Sequence, residues 1–174
     1  MDIQLNASAK SWQQKTREFA DKELIPWEVE AELNQGVLPP EVSQRMQELA
    51  VELGLSRMDA PKEHGGLALG MVEQMAIWEQ LGRVTNALCW CFSEAQHWMY
   101  EACTQDQIDR YITPMAKGEK RECYAITEAE SGSYETVDAT ATPCEGGYKL
   151  NGEKWFVTSA NLAHFFFFQA KMPN

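Results

Sequence analysis

The chain has 174 residues, with 15 Lys and Arg against 26 Asp and Glu and a formal charge of −11. That length holds one ordinary domain or two small ones with a real core, and a hydrophobic content of 44% excludes a disordered chain. The acidic balance argues against nucleic acid as a partner, because phosphate binding needs clustered cations.

Met1–Ala9 is polar, and no apolar stretch is long enough to span a bilayer. The expectation is a cytoplasmic protein with neither secretory signal nor membrane span. The five cysteines, Cys89, Cys91, Cys103, Cys123 and Cys144, are odd in number and irregularly spaced, which reads as reduced thiols. Cys89-x-Cys91 invites a metal reading, but on a helix the two side chains diverge by more than a quarter turn. They read as small buried hydrophobes.

Trp12, Thr16, Phe19 and Ala20 recur at helical spacing and predict a helix over residues 8–27, ended or bent at Pro26. A loop around Gly36 follows. Pro39-Pro40 then opens a helix with an apolar stripe of Val42, Met46, Leu49, Ala50 and Leu53, closed by Gly54. Residues 60–70 read as a turn-rich loop with a solvated His64, and Met71 to Leu81 as a helix ended near Gly82. A further helix is expected from a cap at Asn86 to about Tyr100. It is apolar nearly all round and so central and buried, with Trp90 and Phe92 protected. Core packing explains its aromatics, and a ligand tunnel is the alternative. Thr104 to Gln107 is a capping box opening a last helix with Ile108, Tyr111 and Ile112 on one face.

The pattern changes at Pro114 and Lys117-Gly118. Beyond it the chain alternates as strands over 122–128, 135–142, 147–157 and 163–171, with turns at Glu145-Gly146-Gly147 and Asn151-Gly152. The expected fold class is α+β. An all-helical domain occupies 1–119, and the start of an antiparallel β domain occupies 120–174. Within the latter, Tyr124 to Glu128 runs into the small polar turn Ser131-Gly132-Ser133, and Lys154 to Ser159 likewise ends an apolar strand in hydroxyls. Two such strand ends suit one flat ligand with polar edges. There is no G-x-G-x-x-G, so the dinucleotide-binding fold gains no support.

Several stretches together resemble the acyl-CoA dehydrogenase family of flavoproteins. They are P-K-E-H-G-G-L at 61–67, T-Q-D-Q-I-D-R-Y at 104–111, P-M-A-K-G-E-K at 114–120, Y-A-I-T-E-x-x-x-G-S at 124–133 and N-G-x-K-x-F-V-T-S at 151–159. The resemblance implies an FAD-dependent oxidoreductase of fatty acid metabolism that takes a proton and a hydride from an acyl-CoA thioester. It also implies a homo-oligomer and an electron-acceptor flavoprotein as partner. In the family's pattern the FAD-binding positions fall on Tyr124, Ile126, Thr127, Gly132, Ser133, Phe156, Val157 and Thr158. Ile126 and Thr127 would serve the flavin's polar edge. Gly132 and Ser133 would approach the pyrophosphate or the acyl-CoA, which makes Ser133 also a substrate contact. Phe156 would lie against the ring and the Thr158 hydroxyl near its reactive nitrogen. Ordinary strand threonine is the plainer account of Thr127 and Thr158.

The chain departs from that pattern at Ala129, Glu130 and Tyr134, where the family commonly has proline, glycine and aspartate, and at Ser159-Ala160 in place of asparagine-glycine. The resemblance places the catalytic carboxylate in a C-terminal helical bundle that residues 1–174 do not include. No catalytic residue is therefore assigned, and the 174-residue chain alone is expected to be inactive. An oxidase or monooxygenase of the same fold, or a non-catalytic interaction protein derived from it, are the alternatives.

Overall fold

A computed structural model describes residues 4–130 and 136–172. They form two compact units that divide between Glu119 and Lys120.

The first unit is helical. Helix α1, Ala7–Phe19, starts at Asn6, whose side-chain oxygen accepts from the Ala9 N–H at 2.8 Å. The helical path continues through a π turn over Ala20–Leu24 and a tight turn over Ile25–Trp27 into α2, Glu28–Leu33. The expected loop therefore begins later than the sequence predicts, at the turn of residues 34–36. A second π turn, Ile108–Ile112, leads into α7, Thr113–Ala116. Both π turns stand just before a proline, Pro26 and Pro114. A proline has no N–H to donate to the carbonyl four residues back, and its ring crowds that carbonyl. A wider turn relieves the crowding without ending the helical path.

Helix α3, Pro40–Leu53, and α4, Met71–Leu81, complete the scaffold, and α1 packs chiefly on α4. Gly54 closes α3 in the left-handed conformation. The core gathers Phe19, Leu24, Met46, Leu55, Met58, Ile77 and Leu81, with Leu88 and Phe92 behind them. The Thr16 hydroxyl is buried in this unit and has no hydrogen-bond partner among the described residues. Such a group costs about 1–3 kcal/mol, so Thr16→Val is expected to raise the denaturation midpoint by the equivalent of roughly 1 kcal/mol. A lower midpoint would show that the hydroxyl contributes something the structure does not reveal.

The expected central helix over 87–100 does not form. Its place is taken by a single turn at Leu88–Trp90, an irregular stretch, and α5, His97–Ala102. Two backbone donors that a helix would use internally go elsewhere. The Ala95 N–H bonds the Ser56 carbonyl at 2.8 Å and the His97 N–H bonds Asp59 Oδ2 at 2.8 Å. Asn86 does not cap a helix but stands in the left-handed region at φ 55°. Leu88, Phe92, Ala95 and Met99 are buried, but Trp90 is exposed. His64 is exposed as expected and stacks on Tyr100 with ring centroids 4.6 Å apart. The Thr104 capping box is present in full and opens α6, Gln105–Gln107.

Among its described residues the second unit has four short strands. β2, Thr140–Cys144, and β3, Gly147–Asn151, form an antiparallel hairpin turning at Glu145-Gly146. β1, Glu122–Ala125, pairs with β4, Phe165–Phe168, in register Tyr124 to Phe167. That pair is parallel, where the sequence reading expects an antiparallel start. The connection between the two strands is long and contains the whole hairpin, and this length is what a parallel crossover requires. None of the five cysteines is in a disulfide among the described residues. Among the described residues there is no metal-ligating cluster and no helix long and apolar enough to cross a membrane.

Candidate functional site

Alternation along β1 sets the site's polarity. Cys123 and Ala125 are buried, whereas Tyr124 and then Ile126 are exposed on the other face. Tyr124 stacks on Phe167 across the parallel pair at 5.2 Å, and Phe165 meets Phe167 edge-on at 5.5 Å. Beyond Ala125 the chain stays extended but leaves the ladder. There it meets the second motif: the Trp155 N–H donates to the Thr127 carbonyl at 2.8 Å. The structure thus sets Ile126-Thr127 directly beside the segment carrying Phe156, Val157 and Thr158. Gly132 and Ser133 lie outside the described residues.

Beneath this junction is a buried ion pair that sequence reasoning left without a role. Lys154 Nζ donates to Glu128 Oε1 at 2.7 Å and to the Ile126 carbonyl at 2.9 Å. The two side chains are only 4% and 7% exposed. The Glu128 carboxylate also accepts the Ala139 N–H at 2.9 Å on Oε1 and the Asp138 N–H at 2.6 Å on Oε2. Lys154 hydrogen-bonding, followed by the two backbone donors, holds Glu128 down to about 2, against an ordinary carboxylate value of 4.5. Glu128 is thus a fully occupied carboxylate and no general base. The signal was in the sequence: Lys154 is the lysine of N-G-x-K, quoted as a family mark and given no task. The glycine of that motif has a task too. A side chain on Gly152 would run into Ala139, whose Cβ stands 2.6 Å from the position a Gly152 Cβ would take.

Among the described residues Phe156 is the most exposed large apolar one, at 85%, and its backbone is in the left-handed region at φ 51°. Ser159 is also left-handed, at φ 62°. For residues other than glycine such conformations cost about 1–3 kcal/mol and cluster at ligand sites. Thr127 and Thr158 are exposed beside it. The result is an apolar, aromatic surface edged by two threonines, with Tyr124, Ile126, Trp155 and Phe156 uncovered. In chemistry and shape this donor set fits a flat heteroaromatic ring whose edge carries acceptors and donors.

Comparison with known proteins agrees with this architecture. Residues 6–119 match the family described as acyl-CoA dehydrogenase, N-terminal domain, and the chain belongs to the acyl-CoA dehydrogenase family. It is 28% identical over 178 residues to the L-prolyl-(peptidyl-carrier protein) dehydrogenase of a Serratia sp., covering 98% of this chain and 45% of that protein. It is 29% identical over 172 residues to the short-chain-specific acyl-CoA dehydrogenase of Clostridium acetobutylicum, covering 95% and 44%. The solved structure of PigA with FAD and proline superimposes with a TM-score of 0.81 at 28% identity, over 98% of this chain and 45% of that one. The chain spans about half the length of the curated relatives it matches.

Proposed function

We propose that the chain supplies the N-terminal helical domain, residues 1–119, and the beginning of the middle β domain, residues 120–174, of an FAD-dependent dehydrogenase acting on an acyl thioester. FAD, when bound, supplies the hydride acceptor that no side chain provides. The observation that carries the reading is the junction of Thr127 with Trp155, beside an exposed and conformationally strained Phe156. In this reading the Ile126 backbone and the Thr127 hydroxyl bind the flavin's polar edge. The Phe156 ring, with Val157 and Tyr124, covers its apolar surface, and the Thr158 hydroxyl reaches its reactive nitrogen. Gly132 and Ser133 would serve the pyrophosphate or the thioester. A homo-oligomeric assembly and an acceptor flavoprotein belong to the same proposal.

The test is FAD titration of Thr158→Val. Loss of one neutral hydrogen bond is worth about 0.5–1.5 kcal/mol, so FAD affinity should fall roughly three- to tenfold while the protein stays folded. Unchanged affinity and an unchanged flavin spectrum would overturn the assignment.

The thioester carrier has two readings. The relatives of nearly equal identity comprise an acyl-CoA dehydrogenase and an enzyme named for a prolyl carrier protein. Flavin bleaching by an acyl-CoA compared with an aminoacyl carrier protein decides between them. With Glu128 locked in its ion pair, residues 1–174 on their own are expected to show no acyl-CoA-dependent bleaching. Turnover by that chain would require a base among its other carboxylates.

A further inference from the structure

We propose that the buried Lys154–Glu128 pair is the device that sets the spacing of the two cofactor-facing segments, 126–128 and 154–158, which makes both residues positioning residues for the flavin face. The proposal rests on the cofactor reading above and adds to it the groups that fix its geometry.

Three successive residues of the first segment, which follows β1, are tied to the second, which follows β3. The Ile126 carbonyl accepts from Lys154 Nζ, the Thr127 carbonyl accepts from the Trp155 N–H, and the Glu128 carboxylate accepts from Lys154 Nζ. Ile126 and Thr127 bear on the proposed flavin edge, and Trp155 leads directly into Phe156 to Thr158. A change in the tie therefore moves both halves of the face. The ammonium is consumed in this role. Two of its protons go to oxygens, and it stands 5.3 Å from the centre of the Phe168 ring. With its side chain only 4% exposed, the ammonium is closed off from a phosphate or a substrate. Glu128 carries the tie onward, since its other bonds hold the Asp138 and Ala139 amides at the approach to β2.

Stability alone does not call for such a pair. Apolar side chains of similar volume often replace a buried ion pair at no net cost. They would not supply directional bonds from one ammonium to a particular carbonyl and a particular carboxylate. The pair is thus suited to fixing a geometry.

The experiment is FAD titration of the flavin-stripped protein and two variants, read by quenching of flavin fluorescence and by the visible flavin spectrum. Lys154→Met with Glu128→Gln removes both charges and leaves no lone buried ion. It is expected to remain folded by circular dichroism, to bind FAD roughly ten- to a hundredfold more weakly, as for the loss of a charged hydrogen bond, and to show a shifted flavin band. Glu128→Asp keeps the charge but shortens the tie by one methylene, and is expected to weaken FAD about tenfold. It decides the matter if the double variant does not fold. A folded variant of either kind with wild-type affinity and spectrum overturns the positioning role, and if Thr158→Val still weakens FAD, the cofactor reading survives. If none of these variants, Thr158→Val included, changes FAD binding, the cofactor reading falls and this inference falls with it.

Discussion

Replacing Gly66 by alanine is expected to unfold the 57–69 loop of the helical unit and lower its stability by about 3 kcal/mol or more. A Cβ at Gly66 would land on the Ala60 carbonyl and within 2.6 Å of the Ala60 side chain. Both neighbours belong to a fully buried residue, so no flexible chain end can move aside. The carbonyl is already engaged, accepting the Ala68 N–H at 3.0 Å. Around it the Gly66 N–H bonds Pro61, Leu67 bonds Arg57 and Leu69 bonds Met58, each within 3.0 Å. Any shift that accommodates the methyl group breaks part of this set and disturbs Met58 in the core. Gly65 is the built-in control. It has φ 78° and open space where a Cβ would go, so Gly65→Ala should cost only the left-handed penalty of about 1–2 kcal/mol. Urea unfolding of both variants measures the difference. Equal losses would mean that the loop yields around Gly66 and that the close approach to Ala60 is not rigid.

The parts of the fold legible in the sequence are those whose signal is local. Helix α3 shows its stripe through Met46 and Ala50 and its stop at Gly54. The last helical segment shows its start in Thr104 and Gln107, which exchange two hydrogen bonds within four residues. What was not legible depends on distant partners. The run Leu88-Cys89-Trp90-Cys91-Phe92 is apolar on every side, so it carries no period that distinguishes a helix from a packed irregular segment. The carbonyl of Ser56 and the carboxylate of Asp59 decide the outcome by taking the Ala95 and His97 amides. In α2 the reverse holds. Glu28 to Leu33 has no broad apolar face, yet it is helical, with only Ala31 buried.

The same distinction runs through the candidate site. The motif residues 124–128 and 154–158 read in the sequence as two strand ends with hydroxyls, but β1 stops at Ala125 and β3 at Asn151, and the hydroxyls stand on the segments beyond them. That Thr127 stands beside Trp155 is a tertiary fact carried by one backbone bond and by Lys154. Lys154 stands in the sequence as the lysine of N-G-x-K, and nothing local shows that it is buried. Its burial follows from meeting Glu128, 26 residues away, which no periodicity announces. Glu128 stands in the sequence as the acid of Y-A-I-T-E, with no role assigned to it. That its neighbours make it a structural anion and not a base is settled by the amides of Asp138 and Ala139.

Those two amides give the sharpest expected result. Glu128 should titrate near 2 and not at the ordinary 4.5, because protonation forfeits the bond from Lys154 and weakens two backbone bonds. The amide protons of Asp138 and Ala139 point at the carboxylate, so their NMR shifts should stay flat from neutral pH down through 4 and move together on approaching 2. The unfolded chain binds the same proton near the ordinary value and thus takes up protons first as pH falls. The stabilisation is therefore complete above 4.5 and is lost progressively between 4.5 and 2. Glu128→Gln cannot carry that dependence. It should be less stable than the wild type at neutral pH, since it leaves the Lys154 charge buried without its counter-ion, and the gap should close as the wild type is acidified through the same window. Thermal unfolding of both proteins from pH 7 to pH 2, followed at residues 120–172, makes the comparison. Joint movement of the Asp138 and Ala139 amides at the ordinary carboxylate value would show that Glu128 is solvated and the pair open. The two segments would then need another tie to hold Thr127 against Trp155.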